Sequence, residues 1–349
     1  MNAARGHGGA TSTQTGPRTV NLGTRTSLGD TINELRPAYS GSSVVKLAHD
    51  SVDLFAKLEF TNPTGSSKDR SAFWMMRRAI ARGEISPGRP IIESSSGNFA
   101  VALASLCRAL GLEFIPVIDA NTNTSTENFL RGACDRVEKI SEPDAGGGFL
   151  QNRLRRLDHL LADLAGFWPN QYANHDALDA HYTLTAGEIV DRFDTLDYVF
   201  VGVGTGGTIS GVSNRLKEDF PGVTVVAVDS VGSVIFGGQP RRRHIPGLGS
   251  SIVPDLVRQA IIDDVVMVEE ADAVLACHEL VRRHGVFGGG STGTVYHAVN
   301  QYFRHHRPMR RPRVLFLCAD RGTAYTDTVY DSGWVRDHFD RPTSNQEFS

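Results

Sequence analysis

The stretch DYVFVGVGTGGTISGV, residues 197–212, reads as a buried strand, a glycine loop and the opening turns of a helix. An apolar, β-branched run that ends in glycines and then switches to helical spacing is the junction of a parallel α/β unit. Its loop carries Gly202, Gly204, Gly206 and Gly207, with hydroxyls on Thr205 and Thr208. Two chemical readings stay open. Gly202, Gly204 and Gly207 satisfy GxGxxG, and Asp229 closes the next strand where a dinucleotide fold keeps its ribose acid, so an NAD-dependent oxidoreductase is one of them. In the other, backbone N–H groups of Gly204, Thr205, Gly206, Gly207 and Thr208 hold a single phosphate at the helix N-terminus. No GK[ST] pattern follows, which argues against an NTP-binding P-loop. Glycines that merely permit a tight turn are the plainest account of the cluster.

The alternation continues on both sides. DLFAKLEF, PIIESS, EFIPVID, DRVEKIS, TVVAVDS, DVVMVEE and RVLFLCA read as strands, with amphipathic segments such as KDRSAFWMMRRAIARG, NFAVALASLCRALG, QNRLRRLDHLLADLAG, TLTAGEIVDRF and TGTVYHAVNQYFRHH between them as helices. The fold class is therefore α/β, with mainly parallel twisted sheets flanked by helices, and 349 residues suit two sheets better than one. EPDAGGGF, residues 142–149, marks a mobile connection or a loop that approaches a ligand closely.

Bulk properties narrow the function. A net charge of -3 with mixed signs gives no footprint for nucleic acid or an anionic membrane. No apolar run approaches the roughly 20 residues that span a bilayer. The first residues, MNAARGHGGATSTQTGPRT, lack the apolar core of a secretory signal, so a cytoplasmic location is expected. Cys107, Cys134, Cys277 and Cys318 show no ligand spacing; they read as buried thiols, and no metal centre is expected.

Two further loops share the strand, polar turn and helix design. In NPTGSSKDR, residues 62–70, Lys68 starts a helix, where the dipole disfavours its ammonium form. A lysine is ordinarily a solvated charge, but lowered proton affinity suits an amine that condenses with an aldehyde or takes a proton. In SSSGN, residues 94–98, Ser95, Ser96, Gly97 and Asn98 offer hydroxyls, an amide and helix N–H groups to a carboxylate, or simply an N-cap. GGSTG, residues 289–293, sets Ser291 among glycines ahead of another helix.

NPTGSSKDR, SSSGN, GTGGT and GGSTG, in that order, resemble the fold-type II pyridoxal-phosphate enzymes of the cysteine synthase and cystathionine β-synthase group, whose fold is like the tryptophan synthase β subunit. The resemblance runs from about Leu28 to Tyr330. It implies that Lys68 carries the cofactor as a Schiff base and takes the α-proton, that Asn98 bonds the ring hydroxyl, that Gly204 to Thr208 hold the phosphate, and that Ser291 faces the ring nitrogen. A serine there implies a ring nitrogen left largely unprotonated. Ser95, Ser96, Gly97 and Asn98, with Gln171, would take the substrate carboxylate. Phe99 departs from the family pattern, which has a threonine there. By analogy a smaller domain covers 46–174, a larger one 19–45 plus 175–335, and tails at 1–18 and 336–349 are disordered; a homodimer is expected.

EPDAGGGF, NQYANHDALDAHY, GSVIFGGQPRRRHIPGLGSS and DRGTAYTDTVY are most similar to the branch of that family serving L-2,3-diaminopropionate synthesis for siderophores or peptide antibiotics. That implies a transferase working by β-replacement through an aminoacrylate, with O-phospho-L-serine as donor and L-glutamate as amine nucleophile. A cysteine synthase using sulfide is the alternative within the family. Among Arg241, Arg242 and Arg243, mostly read as solvated charges, Arg243 is the candidate for an anionic substrate group. His175 and His181 read as polar loop residues that the mechanism does not require.

Overall fold

Strand pairing in the computed structural model, which describes residues 27–144 and 148–339, gives two sheets. The strands are β1 (Val44–Leu47), β2 (Asp53–Leu58), β3 (Ile91–Ser94), β4 (Phe114–Asp119), β5 (Glu138–Ile140), β6 (Tyr198–Gly202), β7 (Thr224–Ser230), β8 (Asp264–Val268) and β9 (Arg313–Cys318). The helices are α1 (Leu28–Leu35), α2 (Lys68–Ala81), α3 (Asn98–Leu110), α4 (Thr124–Ala133), α5 (Leu150–Leu164), α6 (Asp176–Ala180), α7 (Gly187–Arg192), α8 (Gly207–Asp219), α9 (Glu270–His284), α10 (Gly290–His305) and α11 (Ser332–His338). A π-helical stretch, His181–Ala186, joins α6 to α7.

The larger sheet has the order β1-β2-β9-β6-β7-β8 and is parallel except for β1 against β2; the smaller, β3-β4-β5, is wholly parallel. Alternate residues explain how both faces are covered. Phe200, Val226 and Phe316 point to a core shared with Val295, Tyr296, Val299 and Phe303 of α10. Their neighbours Val199, Val201, Val225 and Leu315 point the other way, onto Ile209, Val212 and Leu216 of α8. The small sheet divides likewise: Ile91, Phe114 and Ile118 meet α2 and α3, while Ile92, Ile115 and Val117 meet Leu157 and Leu160 of α5. Strands buried on both faces are continuously apolar, which is why runs such as FIPVID were legible.

Some expectations are refined. The boundary expected near Lys46 falls inside β1, and β1 and β2 both belong to the larger sheet. α11 continues to His338, so the first residues of the tail expected at 336–349 are helical; residues 340–349, the tail at 1–18 and residues 145–147 of EPDAGGGF lie outside the described residues. Cys107, Cys277 and Cys318 are buried, Cys134 is partly so, and all are free thiols. No helix among the described residues is long and apolar enough to cross a membrane.

Candidate active site

The loop between β2 and α2 is shaped by its own side chains. Asn62 Nδ2 donates to the carbonyls of Glu59 (2.7 Å) and Ser66 (3.2 Å). The Asp69 carboxylate accepts from Thr64 N (3.1 Å), Thr64 Oγ1 (2.7 Å) and Ser66 N (3.2 Å). Side-chain bonds to nearby backbone explain the Asn, Thr and Ser of this turn. Lys68 then opens α2, with its amine drawn inward. Burial lowers its affinity for a proton and the Asp320 carboxylate opposes that shift. Among the described residues no hydrogen bond or ion pair engages Lys68 Nζ, so the amine is free to react.

Asp320 gathers the other loops around that lysine. Ser67 N donates to the Ala319 carbonyl at 2.7 Å, and Ser66 bridges Asp320. This sets the Asp320 carboxylate, 2% exposed, beside Lys68. Its Oδ1 accepts from Ser291 Oγ at 2.9 Å, and its Oδ2 accepts from Asn98 Nδ2 at 2.9 Å and from the Tyr325 hydroxyl at 2.6 Å. Lys68, Asn98 and Ser291, from the first turns of α2, α3 and α10, thus meet at one carboxylate. Asp320 was not singled out from the sequence, because an aspartate just after a buried strand ordinarily marks a solvated turn.

The glycine loop joins the same space. Gly206 has φ +94°, and a Cβ there would stand 2.6 Å from Val257 N, so a side chain is excluded. α8 has no side-chain cap, which leaves its first N–H groups for an anion. A Cβ on Gly204 would lie 3.2 Å from the Gly247 carbonyl, and one on Gly247 would lie 3.6 Å from Ser291 Cβ, so one turn touches both the loop and Ser291. Thr208 Oγ1 lies 3.1 Å from Nε2 of His181, which also meets Ser71 Oγ at 3.0 Å, while Nδ1 meets Thr185 Oγ1 at 2.9 Å. Burial above all, with Lys68 and Arg70 adding and Glu59 opposing, brings His181 down to about 3, so its imidazole is neutral. His181 is therefore not a loop residue: it is a buried link between the glycine loop and α2. His175 is exposed beside Gln259.

The carboxylate loop is braced from beneath. Glu93, pushed up to about 7 by burial, accepts from Trp168 Nε1 (3.0 Å), Ser94 N (2.8 Å) and Gln171 N (3.3 Å). Gln171 Nε2 donates to the Ser94 carbonyl at 3.4 Å, which places Gln171 behind the loop carrying Ser95, Ser96 and Gly97. Phe99 is buried in the core next to α2, so the position that lacks a hydroxyl serves packing. Arg153 of α5 donates from Nη1 to Ser96 Oγ at 3.1 Å and pairs with Asp119 at 3.3 Å. That pair runs from its Nε to Asp119 Oδ2. This sets a largely buried cation beside the carboxylate loop. Nothing in the helical spacing of QNRLRRL distinguished it from its solvated neighbours.

Arg243 does not join this group. Its guanidinium lies against Gly249, with the acids Asp229 and Glu270 as its electrostatic neighbours, and its Nη1 is buried without a partner. Arg241 is exposed and pairs with Glu269 at 3.3 Å. Asp229 is fully buried and accepts from Ser230 N at 2.8 Å, which removes the exposed ribose acid the dinucleotide reading needs.

A reactive buried amine, an uncapped helix with an open glycine loop, and a hydroxyl and amide anchored to a carboxylate form the donor set that a phosphorylated aromatic aldehyde requires. Residues 35–320 match the family model described as pyridoxal-phosphate dependent enzyme. The N-(2-amino-2-carboxyethyl)-L-glutamate synthase of Ralstonia nicotianae is 42% identical over 302 residues, covering 84% of this chain and 88% of the relative. The protein of the same name from Cupriavidus metallidurans is 40% identical over 289 residues, covering 81% and 84%. Among solved structures, O-ureido-L-serine synthase superposes with a TM-score of 0.77 at 27% identity, covering 90% of this chain and 96% of that one.

Proposed function

The chain belongs to the pyridoxal-phosphate dependent enzymes, and on that premise we propose that it joins O-phospho-L-serine to the α-amine of L-glutamate, giving N-(2-amino-2-carboxyethyl)-L-glutamate and phosphate. It is a β-replacement transferase of the fold-type II class, with pyridoxal phosphate as cofactor. The observation that carries the reading is the convergence of Lys68, Asn98 and Ser291 on Asp320.

When bound, pyridoxal phosphate supplies an electron-withdrawing ring that lets an amino acid lose its Cα proton and a substituent on Cβ. In our assignment the Lys68 amine would hold the cofactor covalently and would serve as the base for the substrate's Cα proton. Its lowered proton affinity supports that role, since a base must be neutral to act. Asn98 meets the ring hydroxyl, Ser291 the ring nitrogen, and Gly204, Thr205, Gly206, Gly207 and Thr208 the phosphate. Ser95, Ser96, Gly97 and Asn98 take the substrate carboxylate, with Gln171 fixing the loop from behind. For the phosphoryl group of the donor we favour Arg153 over Arg243, because Arg153 donates to Ser96 of the carboxylate loop whereas Arg243 lies against Gly249. The same reading makes the protein a cytoplasmic homodimer that feeds L-2,3-diaminopropionate into a siderophore or peptide antibiotic.

Incubation with O-phosphoserine and glutamate is expected to release phosphate and yield a product with the mass of the conjugate. Faster cysteine formation from O-acetylserine and sulfide would overturn the substrate assignment in favour of a cysteine synthase. Borohydride treatment of the yellow holoenzyme should mark the peptide containing Lys68; a mark elsewhere removes Lys68 from its role.

A further inference from the structure

We propose that Asn123 is a positioning residue for the substrate carboxylate: acting through Asp119 and Arg153, it moors the loop bearing Ser95, Ser96, Gly97 and Asn98 to the turn that follows β9. The proposal rests on the reading of that loop as the carboxylate seat.

Asn123 stands at the N-cap of α4 with the extended backbone of an ordinary cap. Asparagine is favoured there because its side-chain oxygen accepts from an N–H of the first helical turn. Asn123 makes no such bond. Its Nδ2 donates instead to the Ala324 carbonyl at 2.8 Å, 201 positions along the chain. α4 follows β4 of the smaller sheet, whereas Ala324 lies in the 3-10 turn Gly322–Tyr325 after β9 of the larger one. The bond therefore ties the two sheets together. It needs a donor on residue 123, because a carbonyl only accepts.

The same turn already holds one end of the carboxylate loop. The Tyr325 hydroxyl donates to Asp320 Oδ2 at 2.6 Å, and that oxygen accepts from Asn98 Nδ2 at 2.9 Å. Asn123 secures the other end. Asn121 N donates to Asp119 Oδ1 at 2.9 Å and Thr122 N to the Asp119 carbonyl at 3.1 Å, so a tight turn carries the tie from Asn123 back to Asp119. Asp119 pairs with Arg153 at 3.3 Å, and Arg153 Nη1 donates to Ser96 Oγ at 3.1 Å. Ser96 and Asn98 are thus both referred to one segment of the larger sheet, Asn98 through Asp320 and Ser96 through Asn123. Without the Asn123 bond Ser96 follows the smaller sheet alone, and its hydroxyl and the Asn98 amide lose their fixed spacing. A carboxylate binds more tightly where its donors are held in place beforehand.

The test compares Asn123→Asp with Asn123→Ala. Aspartate is as good an N-cap as asparagine, so it keeps α4, but its carboxylate can only accept and would face the Ala324 carbonyl. The holoenzyme is titrated with L-alanine, which has the carboxylate and no leaving group on Cβ, and binding is read from the cofactor's absorbance. Both variants are expected to bind about fivefold more weakly, the worth of one ordinary hydrogen bond, with the denaturant midpoint of Asn123→Asp unchanged. In turnover, KM for O-phosphoserine should rise by more than kcat falls. Wild-type affinity in Asn123→Asp overturns the proposal, because a residue needed only to cap α4 would tolerate that change. A loss of affinity that merely tracks a lowered denaturant midpoint in both variants overturns it too. Should Asn123→Ala fail to fold, Asn123→Asp decides the matter. A protein that takes up no pyridoxal phosphate sinks the functional reading and this proposal with it, whereas a loaded Asn123→Asp variant of wild-type affinity sinks this proposal alone.

Discussion

His181 shows how a single buried side chain can write itself into the pH dependence of the whole protein. Unfolded, an imidazole binds a proton below about 6.5; in the fold His181 does so only near about 3. Between those values the unfolded state binds more protons, so stability that is complete above pH 6.5 is lost as the pH falls through that window, at about 1.4 kcal/mol per unit. His181→Asn, which keeps polar atoms for Ser71 and Thr208 but cannot titrate, is expected to flatten the slope by one proton. Urea unfolding at a series of pH values reads it, and an unchanged slope would show that His181 is charged in the fold. At this scale the sequence was informative where composition is unusual. Lys68, Asn98 and Ser291 stand in loops so rich in Ser, Gly and Asn that the sequence singled them out, and the structure gathers them at Asp320. Asp320, Arg153 and His181 acquire meaning only from residues far along the chain: Asp320 binds Asn98 across 222 positions, and Arg153 reaches Ser96 across 57.

Helix α8 and the π-helical stretch His181–Ala186 form one unit, because α8 presents Gly211 where the two meet. A Cβ at Gly211 would stand 2.6 Å from Tyr182 N and would overlap the Leu178 carbonyl. Both are backbone atoms that cannot rotate aside, so Gly211→Ala must push α8 and its uncapped N-terminus away from His181. We expect a loss of about 2 kcal/mol of stability or more, in the range of overpacked cores, together with weaker retention of the cofactor. Gly222→Ala, where nothing lies within 4 Å, is the control and should change stability by less than about 0.5 kcal/mol. Denaturant midpoints and cofactor retention on dialysis measure both, and equal behaviour of the two variants would refute close packing at Gly211. The long elements were legible because their apolar period is sustained. Only Thr183–Ala186 of the π stretch was read as helix, and as an ordinary one, since a π turn differs by hydrogen-bond register and not by residue type. β1 and α6 are four and five residues long, too short for any period to declare itself, and β1 exists because β2 offers it an edge.

Across the whole molecule, the helix that carries Lys68 is tied to the larger sheet by a buried ionic cluster. Arg70 of α2 donates to Glu59 at 2.7 Å and to Glu188 of α7 at 2.7 Å, while Lys57 of β2 meets Glu188 at 2.6 Å and Ser42 Oγ donates to Glu59 at 2.7 Å. Two cations against two carboxylates leave the cluster neutral, and it joins four separated segments. Such a link was invisible in the sequence, where Lys57 and Glu188 stand 131 positions apart. Burial raises the Glu188 carboxyl, but Arg70 and Lys57 outweigh that and hold it at about 2, below its ordinary 4.5. The cluster therefore contributes in full above pH 4.5 and is lost as the pH falls toward 2, a window lying mostly below that of His181. Removing one carboxylate strands a buried positive charge, so Glu188→Gln is expected to cost about 3–5 kcal/mol at neutral pH. The double variant Lys57→Met, Glu188→Leu removes charge from both sides and should cost clearly less than the sum of its single changes. Both effects are read from denaturant unfolding at pH 7 and pH 4. A cost below about 1 kcal/mol for Glu188→Gln would mean that water already reaches the cluster, and that α2 is held to the sheet by apolar packing alone.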